Sequence, residues 1–227
     1  MNEKNKSSFL LKLKSSLTYI KEEYIKFPLY ILSHPLKGFD IFKREKRAKT
    51  SVAVTFIILL ILLNILWLQY AGFEVNDFEI RYLNSIAEIT YIVGIVVLLT
   101  VSNWSVTTLF DGKGTMKEIF LMICYSLYPL LWANIFGIIL SNILTGEEIT
   151  VYYLIMSLGG LLTGFMIFMG MISIHEYGLG KCLLTVLFTL LAASIIIFVL
   201  LLSFNLFQTV YGFFYQIYQE ITLRNII

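Results

Sequence analysis

IAEITYIVGIVVLLTVSNWSVTTLF (86–110), DGKGTMK (111–117) and EIFLMICYSLYPLLWANIFGIILSNIL (118–144) follow one another without interruption. Two apolar runs of more than 20 residues flank a short loop that carries Lys113 and Lys117. About 20 apolar residues in a helix cross a hydrocarbon core of about 30 Å at about 1.5 Å per residue. Nothing here alternates with period two over ten residues, so transmembrane strands are excluded. A seven-residue connection between two such runs makes the helices antiparallel neighbours.

Three more runs of the same kind lie outward from this pair, at 51–70, 151–175 and 181–204. The chain therefore reads as an all-α polytopic membrane bundle of five transmembrane helices. The composition agrees: 58% of residues are hydrophobic and the mean hydropathy is +0.82, far above the need of a soluble domain. Nothing at the start reads as a signal peptide, since the first long apolar run begins near Ser51 and no small-residue cleavage site follows it.

Charge sets the orientation. Residues 1–50 carry 12 basic and 5 acidic side chains, a net of +7, and the remaining 177 carry 5 basic and 10 acidic ones, a net of −5. With five spans, the first 50 residues fall on the same side as Lys113, Lys117 and Lys181, which gathers 15 of the 17 Lys and Arg residues there. Only Arg81 and Arg224 are left for the other side. The first loop, with Glu74, Asp77 and Glu79, and the third, with Glu147 and Glu148, lie opposite the lysines. Loops rich in Lys and Arg stay in the cytoplasm. The reading is a multi-pass plasma-membrane protein with a cytoplasmic N-terminus and an extracytoplasmic C-terminus.

Three regions follow: a basic amphipathic arm (1–50), the five-helix domain (51–204) and a C-terminal extension (205–227). In the arm, Leu10, Leu13, Leu17, Ile20, Tyr24, Phe27 and Ile31 recur at spacings of three and four, one stripe along a helix. Pro28 is expected to kink that helix, and His34-Pro35 to end it. The stripe suits anionic headgroups at the cytoplasmic surface, a helix of a partner, or the chain's own bundle. Apolar residues at helical spacing within the basic segment argue against nucleic acid. The extension, with Phe207, Tyr211, Phe214, Tyr215 and Tyr218 among Gln and Glu, suits an interfacial helix at the outer boundary.

Candidate sites are few. Asn103, Ser105, Thr107, Thr108 and Asp111 gather near the cytoplasmic end of the second run. They make either a polar pocket or, more plainly, helix–helix hydrogen bonds and a turn at Asp111-Gly112. Asp111, Lys113, His175 and Glu176 fall in the second and fourth loops and form a candidate surface for an ion, a headgroup or a partner loop. The plainer reading is solvated loop charge. Pro129 bends the third run, and Asn134 is expected to bond to a neighbouring helix. Gly160-x-x-x-Gly164 has the spacing of a close-packing face, within the chain or between chains.

His175-Glu176 lacks the second histidine of a zinc-protease signature, since position 179 is Leu, and no metal or cofactor is expected. Cys124 and Cys182 read as ordinary buried residues. No Ser/His/Asp set or phosphate-cradling loop is present, so the chain reads as non-enzymatic.

HPLKGFDIFKREKR (34–47), SNWSVTTLFDGKGTMKEIF (102–120), CYSLYPL (124–130) and ISIHEYGLGK (172–181), in this order, resemble the bacterial branch of the Yip (Ypt-interacting protein) family. The resemblance covers about 34–220 and implies five membrane helices with a cytoplasmic N-terminus. Eukaryotic members bind prenylated Rab-type GTPases in vesicle traffic, which a bacterial chain does not inherit. For the bacterial branch it implies an accessory membrane protein, with a link to solute transport. The expected function is a scaffold or accessory subunit that binds another membrane protein or itself. The alternative is a small homo-oligomeric transporter or channel with Asn103, Pro129 and Asn134 along its path.

Overall fold

Long apolar runs with few breakers fold as helices because nothing in lipid can satisfy a backbone that is not bonded to itself. A computed structural model describes residues 17–76 and 83–224, and every regular element among them is helical. A π-helical stretch, Lys21–Lys26, leads into α1 (Phe27–Ser33) and α2 (Pro35–Arg44). Then come α3 (Thr50–Tyr70), α4 (Ser85–Leu109), α5 (Met116–Ser126), α6 (Tyr128–Ser141), α7 (Ile149–His175) and α8 (Leu179–Arg224). Five spans result: α3, α4, α5 with α6, α7 and α8.

Local chemistry marks the ends. The Asn84 side chain accepts the Ile86 and Ala87 N–H groups at 3.1 and 3.2 Å and starts α4. Thr115 and Glu118 form a capping box at the start of α5. Pro129 has no N–H to offer the Tyr125 carbonyl, and the third span bends there. Leu127 closes α5 with a tightened bond from its N–H to the Cys124 carbonyl at 3.2 Å. The helix restarts at Tyr128.

The third span is the hub. Of its most apolar stretch 67% is buried, against 28% or less for the other four spans. It touches α3, α4 and α7, while α8 leans mainly on α4. Tyr125 is its centre at one end. Phe27, Phe42 and Phe56 meet its ring edge-on at 6.0, 5.4 and 5.7 Å, and its hydroxyl accepts the Lys49 N–H at 3.1 Å. Each such aromatic pair contributes about 0.5–1.5 kcal/mol beyond its buried area. One tyrosine thus joins the arm, the first span and the third.

The arm's stripe divides. Phe27 and Ile31 are buried against the bundle, and Gly38 lets α2 approach so closely that a Cβ there would lie 2.7 Å from Ile31 Cα. Leu17 and Ile20 remain exposed, and Leu10 and Leu13 lie outside the described residues. Pro28 opens α1 without separating it from the turns before it. A π-helical stretch precedes it, with the Phe27 N–H bonded to the Glu22 carbonyl, and the true break is at His34 (φ −134, ψ 67).

The last span does not stop at 204. α8 runs unbroken for 46 residues, because no proline lies beyond Pro129 and Gly212 is the one glycine within its interior. Residues 205–224 continue that helix as its C-terminal extension.

The two ends of the bundle differ. One gathers Lys43, Lys49, Lys113 and Lys117. At the other, the Asn142 amide donates to the Tyr70 carbonyl at 2.7 Å and the Gly72 N–H to Ser141 Oγ at 3.1 Å. Trp67 Nε1 donates to the Tyr152 hydroxyl at 2.9 Å, and Asn64 Nδ2 to Glu88 Oε2 at 2.7 Å. The one acid lodged well inside an apolar run is therefore paired with an amide.

Candidate functional site

The basic end holds two polar constellations, one inside and one outside. Asn103 is carried by the last turns of α4 and His175 closes α7; both are buried, at 2% and 1% exposure. The Gly114 N–H donates to His175 Nδ1 at 3.3 Å, so the proton sits on Nε2 and is donated to Asn103 Oδ1 at 3.2 Å. The Asn103 amide nitrogen donates onward to Thr189 Oγ1 of α8 at 3.2 Å and to Met171 Sδ at 3.8 Å. One chain of bonds thus ties α4, α7, α8 and the second loop.

His175 was expected at a solvated turn, and its position corrects that. α7 extends through His175, and two small residues let the loop fold over the ring. A Cβ on Gly114 would lie 2.7 Å from His175 Cε1, and one on Gly112 2.7 Å from Nδ1. The ring stacks on Tyr177 at 5.3 Å.

Outside, Glu176 takes a left-handed conformation (φ 56) at the end of α7 and turns its carboxylate to two lysines. Lys113 Nζ donates to Oε2 at 2.5 Å, and Lys43 Nζ to Oε1 at 3.0 Å and to the Ile174 carbonyl at 2.8 Å. Lys113 first, then Lys43, holds the Glu176 carboxyl down at about 2. The bridge fixes α2 of the arm to both loops. Tyr177 reinforces it by donating to the Phe110 carbonyl at 2.9 Å; burial raises its hydroxyl pKa. Asp111 sits exposed on the left-handed turn between α4 and α5 (φ 53), outside the bridge.

The expected cluster of Asn103, Asp111, Lys113, His175 and Glu176 therefore separates. Asn103 and His175 brace the interior, Lys113 and Glu176 clamp the surface, and Asp111 joins neither. Three residues complete these sets without having been singled out. Lys43 lay among the many basic residues of the arm. Thr189 lay in an apolar run, where its spacing of four from Thr185 was the available signal. Gly114 had none.

The packing residues fall out differently as well. A Cβ on Gly160 or Gly164 would meet nothing within 4 Å, so neither glycine makes a close contact within the chain. Close approach belongs to Gly159, where a Cβ would lie 2.3 Å from Ala133 Cβ, and to Gly170, 2.5 Å from Met122 Cγ. Adjacent helical positions differ by about 100°, which puts Gly159, Thr163, Met166 and Gly170 inside and Gly160 outside. Asn134 donates to the Leu130 carbonyl of its own helix at 2.9 Å and not to a neighbour.

Two apolar cavities meet these residues. One of about 350 Å³ runs between α4, α5, α7 and α8, with Asn103 and Thr189 at its polar end and Gly164 at its edge. Another of about 310 Å³ near the opposite end is bordered by Asn64, Leu130, Asn134 and Met156. Pro129 borders neither.

Four long apolar helices around a kinked central span, capped at one end by two short helices, define a polytopic helical membrane protein. The sequence model described as the Yip1 domain matches residues 29–202, and the chain belongs to that family. Comparison with curated proteins and with solved structures gives no match.

Proposed function

We propose that this protein is a non-enzymatic scaffold or accessory subunit of a bacterial plasma membrane, on the bacterial branch of its family. It binds another membrane protein at its cytoplasmic face within a transport complex. In this reading the basic end, with the N-terminus, faces the cytoplasm and α8 ends outside.

One observation carries the reading. α1 and α2 are seated on the basic end through Phe27, Ile31, Phe39 and Phe42, all at 2% exposure or less. Their outer side presents Leu29, Tyr30 and Leu36, 52%, 37% and 51% exposed, beside Lys37 and the Asp40–Arg44 pair. A helical pair held this firmly, with apolar side chains turned outward, supports a preorganised docking platform.

The test is affinity purification in mild detergent of the parent and of Leu29→Glu/Leu36→Glu. A stoichiometric partner with the parent, lost with the variant at unchanged melting temperature, supports the platform. A pure homo-oligomer counts against it.

Transport by a homo-oligomer is the second reading, favoured by two cavities at different depths, each with an asparagine on its wall. Solute flux in proteoliposomes that Asn134→Ala abolishes while the fold persists would promote it over the scaffold.

A further inference from the structure

Beside the surface bridge, a cleft of about 330 Å³ opens between α2, the 45–49 connection and the first turn of α5. Lys43, Lys46 and Lys117 line it, with Thr115 and Glu118. Glu118 keeps its single negative charge there, with Oε2 accepting the Thr115 N–H and hydroxyl, both at 2.8 Å, and it forms no ion pair with a lysine among the described residues. Lys43 is committed to Glu176. Lys46 and Lys117 are exposed and form no ion pair among the described residues. Lys46 also holds a left-handed backbone (φ 48), which a residue with a Cβ adopts at a cost.

Lys117 belongs to a second concavity too. An apolar groove of about 430 Å³ runs from it between α4 and α5, along Met116, Phe120, Val101 and Val97. From the α4 end at Leu109 down to Val97 is about 18 Å, close to one leaflet's share of a core of about 30 Å. A charged cleft at the membrane boundary thus shares one lysine with a lateral apolar groove that reaches to this depth.

We infer that this pair of sites binds one anionic phospholipid, with its phosphate between Lys46 and Lys117 and an acyl chain along Phe120, Val101 and Val97. The headgroup cleft supplies the charge complementarity, and the groove distinguishes a lipid from a free phosphate. An ammonium group recognises phosphate as a point charge, which suits two flexible lysines. The site is separate from the outward face of α1 and α2, and stands whichever partner that face takes.

Full-length protein in detergent is loaded with phosphatidylglycerol or phosphatidylcholine and read by native mass spectrometry. The parent is expected to retain one phosphatidylglycerol in preference to phosphatidylcholine. Lys46→Gln/Lys117→Gln is expected to lower that retention about 10-fold or more, and Lys37→Gln/Lys181→Gln, which removes equal charge elsewhere, to leave it unchanged. Val101→Trp, which fills the groove, is expected to abolish retention at an unchanged melting temperature. The inference is overturned if the Lys46/Lys117 variant or Val101→Trp retains lipid like the parent, or if both lipids are held equally. Displacement of the lipid by glycerol phosphate overturns it in favour of a free-phosphate site.

Discussion

Replacing His175 with alanine removes three things at once. It deletes the Nε2–H bond to Asn103 at 3.2 Å, strips the Gly114 N–H of its acceptor at 3.3 Å, and leaves a void where a ring at 1% exposure had been stacked on Tyr177. An orphaned buried polar group costs about 1–3 kcal/mol, and the lost ring adds to it. The expected destabilisation is about 3 kcal/mol in a detergent unfolding titration. Part of that belongs to the Asn103–His175 pair alone. A double-mutant cycle with Asn103→Ala isolates it, at about 0.6–1.7 kcal/mol for a hydrogen bond between membrane helices. Asp111→Asn, on an exposed left-handed turn that Asn accepts as readily as Asp, should shift stability by less than about 0.5 kcal/mol. A coupling near zero, with His175→Ala as stable as the parent, would refute the interior brace.

Gly159→Leu should lower the melting temperature sharply, since its first side-chain atom already meets Ala133, whereas Gly164→Leu should leave the monomer's melting temperature unchanged. The Glu176 carboxyl is depressed, so its contribution is full above the ordinary carboxylate pKa and is lost as pH falls from about 4.5 to about 2. The melting-temperature gap between the parent and Glu176→Gln should therefore be constant above about pH 5 and close on acidification; a gap that persists at pH 2 contradicts the clamp. A peptide of residues 1–33 should bind anionic vesicles better than neutral ones and lose affinity in salt. Equal binding to both would assign the arm to protein contacts alone.

Run length and hydropathy made the five spans legible, with every end but the last within a few residues of that observed, because lipid admits little besides a helix. The break at His34-Pro35 was equally local. What lay beyond the sequence was helical phase. Gly160-x-x-x-Gly164 has the right spacing, yet Gly159, one position away, carries the contact, and spacing does not say which way a helix faces. His175 looked like a loop residue because its burial depends on Gly112 and Gly114, some 60 positions earlier, folding over it. The hub role of Tyr125 depends on three aromatics from separate segments, and the extent of α8 on the absence of any stop signal.

The whole functional account turns on which way the basic end faces. Glu147 and Asp111 are exposed at opposite ends of the bundle, and Cys124 and Cys182 are buried and silent. An impermeant thiol reagent applied to intact cells should label Glu147→Cys and should label Asp111→Cys only after permeabilisation. Labelling of Asp111→Cys in intact cells would turn the bundle over and contradict a partner platform in the cytoplasm.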